Sequence, residues 1–397
     1  MSFLIIILAI CILIPLLFLS ALLGNTRLIT VSGHESNTKE DVVFVPSIGS
    51  VHIPPPISIA PSRAILICAG RHYLAPAVSA VATLRRAHGC KTPIQIWHAG
   101  AAELKGYEHH VASLLAFDDV TFHDVYKNNR LYTEVNASGY QIKAFALFST
   151  NVRHAMVLDA DVIPMTNLDV IFDDAAYVET GALFNPDFFM WEFMLWKGPF
   201  ARTMFGMSPL KNTLLTMDSS LFVFDRERHW RGLHVAHALN LRHDITYRYV
   251  LGDKDTYWIA LDMCGERWSL TDDISPGSLS VTNCEYGGGW RGHIQFCRGV
   301  LTHINEVDFM CVALRYLRDK ELDESTLFTH TIKGYLRHAE KQGSKNLQVC
   351  DVNCETRPKH GESIIPFSDE QKKVMRIHLS HLINLENADK MTRTYDG

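Results

Sequence analysis

The stretch His154–Pro164 reads "HAMVLDADVIP": an apolar run suited to a buried strand, two aspartates separated by one alanine, and a proline that closes the segment. Side chains alternate along a strand with period two, so Asp159 and Asp161 are expected on the same side of the chain. Like charges this close raise one pKa unless a cation lies between them, and a divalent metal is the common way of keeping both ionised. The competing reading is a strand-to-loop turn whose aspartates cap backbone N–H groups. The tripeptide D-x-D does not separate these readings by itself; the surrounding chain does.

Upstream, "RAILICAG" (63–70) is a short apolar run that stops at glycine. "YLAPAVSAVATLRRAHG" (73–89) then carries Leu74, Val78, Val81 and Leu84 on one helical face, with Gly89 as its stop. "TPIQIWHAG" (92–100) returns as a strand. Strand, helix and strand at this spacing predict a βαβ unit with parallel strands, and ligands of such sheets bind beyond the carboxyl ends of the strands. "HAMVLDAD" places its aspartates at such an end, which favours the metal reading over the turn.

A few hard oxygen ligands leave open positions that substrate phosphates complete, which is how Mg2+ or Mn2+ is commonly held. The reaction class this suggests is group transfer from a nucleotide-activated donor, the metal acting as Lewis acid on a leaving diphosphate. Phosphatases of the haloacid dehalogenase type also place D-x-D after a strand. Their motif continues D-x-D-x-T and opens the domain, whereas Ile163 occupies the threonine position here and nearly a hundred residues of apparent domain come first.

Residues 3–23, "FLIIILAICILIPLLFLSALL", form an uncharged run long enough to cross a bilayer and lack the basic start of a cleaved signal, so a transmembrane signal anchor is expected over 1–23. Residues 24–62 turn polar and then proline-rich ("VPSIGSVHIPPPISIAPS") and read as an extended stem. A catalytic domain is expected over 63–340, followed by a polar extension, 341–397, with one helix opened by the Ser368–Gln371 capping pair. The triplet "NAS" at Asn136–Ser138 is an N-glycosylation acceptor, and eight of the nine cysteines lie beyond the apolar run; both fit a lumenal domain. Pairing of those cysteines is not readable, and with no C-x2-C pair a zinc site is disfavoured. With 38 Lys plus Arg against 43 Asp plus Glu, the chain lacks the basic excess that tracking a nucleic-acid backbone requires.

"YQIKAFALFSTNVRHAMVLDADVIPMTNLDVIFDDAAYVETGALFNPDFF" (140–189) resembles the donor-binding core of the fungal Golgi α-mannosyltransferases that elongate mannoprotein glycans. Residues 67–104, "DSSLFVFDRERHW" (218–230) and "YRYVLGDKDTYWIA" (247–260) agree in the same order, so the resemblance spans about 63–335. It implies an α/β glycosyltransferase-A (Rossmann-like) fold and retaining transfer of mannose from GDP-mannose, with Mn2+ or Mg2+, to a mannose-terminated glycan of a glycoprotein. It also implies a single-pass type II protein of the Golgi membrane with its catalytic domain in the lumen. Carried over letter by letter, Asp161 becomes a direct metal ligand and Asp159 a ligand of metal or donor ribose. Cys68, Ala69 and Gly70 match the nucleotide-holding loop; Lys143 in "YQIKAFAL" is read as facing the donor phosphates, with a helix-surface lysine as the alternative. Asp253 and Asp255 of "GDKDT" match the acidic motif near the sugar. A third metal ligand is expected from a late histidine, His330 in "LFTHTIKG" or, second, His303 in "GVLTHIN". "DSS" at 218–220 lies where the family often carries a sugar-binding glutamine, which is absent here. A transferase of another sugar nucleotide, a D-x-D phosphatase and an inactive glycan-binding subunit are the alternatives.

Overall fold

Alternation along the apolar runs decides how the sheet is sandwiched. In the computed structural model, Ile65, Ile67, Met156 and Leu158 pack into one hydrophobic cluster, while Ala64, Leu66, Ala155 and Val157 pack into another on the opposite face. These strands are thus buried on both faces, as parallel strands covered by helices are. The structure describes residues 41–128, 135–137, 139–164, 166–186, 205–206 and 217–270. It also describes the backbone of strands Gly277–Asn283, Gly288–Gln295, Cys311–Tyr316, Tyr335–Lys341, Ser344–Val349 and Glu362–Pro366, and helical residues between 373 and 381. The apolar run 3–23 lies outside the described residues.

The chain enters through the hairpin β1 (Asp41–Val45) and β2 (Gly49–Ile53). It then forms β3 (Arg63–Cys68), helix α1 (Leu74–Ala82), β4 (Ile94–His98), helix α2 (Glu108–Leu115) and β5 (Val120–Asp124). Helix α3 (Ile142–Ser149) leads into β6 (His154–Asp159), after a turn β7 (Val162–Pro164), then helix α4 (Ala175–Thr180), β8 (Ala182–Pro186) and β9 (Met217–Asp225). Helix α5 (Trp230–Leu241), helix α6 (Thr256–Met263) and β10 (Ser269–Leu270) complete the main sheet, whose order is β10-β8-β9-β6-β3-β4-β5. Strands β5, β4, β3 and β6 run parallel, and β9 is antiparallel to both of its neighbours, β6 and β8. The result is a mixed α/β sheet whose βαβ start agrees with the sequence.

Two local details differ from the sequence reading. Helix α1 continues through one wider turn, Thr83–Ala87, before Gly89 takes φ +63 and ends it. Within the stretch read as extended stem, residues 41–53 pair as an antiparallel hairpin that belongs to the core: Val43, Val45 and Ile53 are buried with Leu233 and Val235 of α5. Asp41 pairs with Arg231, and the Trp230 indole donates to the carbonyl of Pro54 at 2.8 Å. Alternating valines outweighed the flanking prolines, because a strand with one buried face needs only every second residue to be apolar.

At the far end of β9, Asp225 is almost fully buried and accepts from Arg153 Nε and Nη2 at 3.0 and 2.9 Å and from the N–H groups of Glu227 and Arg228. Burial pushes its pKa up, but these donors prevail and hold it below the ordinary 3.8. A depressed carboxyl contributes stability that is present above the unfolded value and lost as pH falls through the folded one. Asp225→Asn is therefore expected to cost about 3 kcal/mol at about pH 7 and much less at about pH 3. Urea unfolding of both proteins at the two pH values checks this; an equal penalty at both would contradict it.

Candidate functional site

Strand β3 sends the chain outward to β4 and β5, and the chain then returns on the other side of β3 as β6. Where a sheet changes direction in this way, the loops at the carboxyl ends part and leave a crevice. Cys68 and Asp159 are register partners there, each the last residue of its strand. Beyond Cys68, the N–H of Ala69 donates to the carbonyl of Trp97 at 2.9 Å. A Cβ on Gly70 would lie 2.9 Å from Cβ of Glu103, so a larger residue there would force Glu103 to shift. Glu103 is half-buried, and its Oε2 accepts from Ala99 N–H at 2.8 Å. The Cys68–Gly70 loop expected to hold a nucleotide is therefore flanked by a carboxylate from the end of β4, 33 residues later, which no sequence signal indicated.

Lys143, on α3, reaches into the crevice between two acids. Its Nζ lies 2.5 Å from Asp159 Oδ1 and donates to Ser219 O and Oγ, both at 3.2 Å. Burial works against the ammonium, but the charges of Asp159 and Asp253 outweigh it and hold the lysine pKa above its ordinary value. Asp253 is 1% exposed and accepts from the Tyr257 hydroxyl at 2.8 Å. Burial pushes the Asp253 carboxyl up, opposed by Lys143 and Tyr257. Burial likewise pushes the Cys68 thiol well above its ordinary value. The loop before α6 reaches this cluster through Gly252, at φ +65, where a Cβ would stand 3.0 Å from Cγ of Tyr140. Tyr257 was missed by the sequence reading, although its i+4 spacing from Asp253 at a helix start was a usable signal.

The two aspartates of "GDKDT" part company. Asp253 joins the Lys143 cluster, whereas Asp255 Oδ1 accepts from Met217 N–H and from the Trp258 indole, both at 2.9 Å, and ties α6 to the start of β9. Asp161 sits half-buried in the two-residue turn after β6 rather than within a strand. Ser219 of the "DSS" segment contacts Lys143, while the side chain of Asp218 lies outside the described residues. His330 and His303 also lie outside them. Among the described residues no three His, Cys, Asp or Glu side chains cluster as a complete metal site. What they offer a divalent cation is the pair Asp159 and Asp161: hard carboxylates at one strand end, which suit Mn2+ or Mg2+ if other groups fill the remaining positions. Among the described residues Cys68, Cys90 and Cys264 form no disulfide, and Asn136 is exposed, as a glycosylation acceptor must be.

A family model described as "Mannosyltransferase putative" matches residues 62–214 and 207–278, together more than half of the chain. The alpha-1,2-mannosyltransferase MNN2 of Saccharomyces cerevisiae is 44% identical over 50 residues, 13% of this chain and 8% of that protein. The alpha-1,2-mannosyltransferase MNN23 of Candida albicans is 30% identical over 135 residues, 32% of this chain and 21% of that protein. The matches thus span no more than about a fifth of either relative. Among solved structures, the mannosyltransferase Ktr4p from S. cerevisiae superposes with a TM-score of 0.37 at 10% identity, covering 58% of this chain and 71% of that one.

Proposed function

The chain belongs to this mannosyltransferase family, and from that premise we propose that it transfers mannose from GDP-mannose to a mannose-terminated glycan, with retention of the α configuration. The observation that carries the reading is the Asp159–Lys143–Asp253 cluster at the carboxyl ends of β3 and β6, beside a glycine loop of the kind that admits a nucleotide. A glycosyltransferase-A arrangement places the donor across such a crevice.

A divalent cation held by Asp159 and Asp161, with His330 as the proposed third ligand, would neutralise charge on the departing diphosphate. The backbone of Cys68–Gly70 lies where the nucleoside approaches. Lys143 holds the Asp159 carboxylate in place through their ion pair, and its ammonium adds positive potential where the diphosphate separates. In the transfer, the bond from the anomeric carbon to the diphosphate oxygen breaks and a bond to the acceptor hydroxyl oxygen forms, the hydroxyl proton leaving to the diphosphate or to water. Retention requires either a carboxylate nucleophile or attack from the face that the diphosphate leaves. Asp253 is the carboxylate we place against the sugar, since it lies in the cluster, and Asp255 we read as a positioning residue.

Incubating the full chain and Mn2+ with a panel of sugar nucleotides and a mannoside acceptor, followed by NMR of the product, tests the proposal. An α-linked mannoside formed from GDP-mannose is expected. A β-linked product or a preference for a UDP-sugar would refute the mannosyl reading, and phosphate release from a monoester would favour a phosphatase. We further place the domain in the Golgi lumen behind a membrane anchor at residues 3–23, a reading supported by that apolar run and the exposed Asn136. Digestion of the domain by protease added to sealed vesicles would exclude it.

A further inference from the structure

Glu103 has no part in the chemistry described above, yet its carboxylate is built into the wall of the proposed nucleotide crevice. It stands at the end of the turn Ala101–Glu103, which Gly100 opens at φ +89, and it packs closely on Gly70, where any Cβ would displace it. The Ala99 N–H holds Oε2 at 2.8 Å and so fixes the orientation of the carboxylate. Among the described residues this N–H is its only hydrogen-bond partner, which leaves most of the accepting capacity of a half-buried carboxylate unfilled. The same loop holds an exposed aromatic: Tyr73 is 53% exposed, and its N–H donates to Gly70 O at 3.0 Å. A fixed carboxylate and an accessible ring beside one glycine turn are the elements needed to hold a planar group that presents hydrogen-bond donors.

We infer that Glu103 reads the base of the donor nucleotide by accepting from the adjacent N1–H and N2–H groups of guanine. The chemistry selects among bases. Guanine places two donors side by side, matching the two oxygens of a carboxylate; uracil offers one N–H between two carbonyls, and adenine sets an acceptor beside its amino group. Charge-assisted bonds of this kind are about twice as strong as neutral ones, and a site built to receive a donor discriminates strongly against a base that lacks it. The inference rests on the nucleotide-sugar reading above and supplies the specificity that the D-x-D motif does not.

The test is calorimetric binding of GDP, IDP and UDP to the full chain and to Glu103→Gln, all with Mn2+. Glutamine keeps an oxygen for Ala99 N–H, so the turn is preserved. IDP lacks only the N2 amino group. The wild-type chain is expected to prefer GDP over IDP by about tenfold or more, and the variant to lose most of that ratio while UDP binding stays within about twofold. If the variant keeps the wild-type GDP-to-IDP ratio, or weakens all three nucleotides equally as a ribose contact would, base reading by Glu103 is overturned while the GDP-mannose proposal stands. A wild-type chain that prefers UDP overturns both.

Discussion

Asp161→Ala is expected to lower glycosyl transfer by about a thousandfold and to leave the melting temperature within a few degrees of wild type. The residue lies half-buried in the turn that follows β6, outside both hydrophobic clusters, so truncation opens no core cavity. In the proposed mechanism it removes one of the two hard oxygen ligands that the strand end would offer a divalent cation, and with it the charge neutralisation that would assist departure of the diphosphate. Asp161→Asn is expected to be nearly as damaging, because it preserves shape and discards charge. A second readout is independent of turnover: Mn2+ stabilises a protein that binds it only when folded, so the thermal shift produced by Mn2+ in the wild type should be absent in the variant. Near-normal activity of Asp161→Ala in the presence of a chelator would mean that the carboxylate pair has another purpose.

Asp253→Asn and Asp255→Ala should fail in opposite ways. Asp253→Asn is expected to reduce turnover by two to three orders of magnitude at unchanged or slightly raised stability. The Tyr257 hydroxyl can still donate to the amide oxygen, and the variant no longer buries a carboxylate whose pKa burial has raised. An acid with a raised folded pKa contributes stability that is present below its ordinary 3.8 and lost as pH rises through the folded value, so any gain from removing it should grow from about pH 4 toward neutrality. Asp255→Ala instead orphans Met217 N–H and the Trp258 indole in a buried setting, which should cost about 2–4 kcal/mol and alter turnover per folded molecule only a few-fold. Steady-state kinetics beside urea unfolding of both variants separates the cases. A large loss of turnover at unchanged stability in Asp255→Ala would make Asp255, and not Asp253, the residue at the sugar.

Much of the scaffold was legible without coordinates because it rests on short-range periodicity. The apolar run 154–158 had to be a buried strand and 73–89 a helix, and their spacing made 63–100 a βαβ unit; from these alone Asp159 belonged at a carboxyl strand end. The hairpin 41–53 differs from the expected stem because Pro46 between its strands and Pro54–Pro56 after them obscure alternating valines whose buried face is supplied by α5, nearly two hundred residues away. The site was less legible than the scaffold. In a turn, side-chain direction follows no period, so the letters of "GDKDT" could nominate Asp253 and Asp255 but not distinguish the one facing Lys143 from the one tied to Met217 and Trp258. Only the tertiary structure decided that Lys143 answers Asp159, or that Glu103 closes on Gly70. Those contacts join separate elements of the chain, and they exist because sheet register sets Cys68 beside Asp159 and helix packing carries the lysine over them.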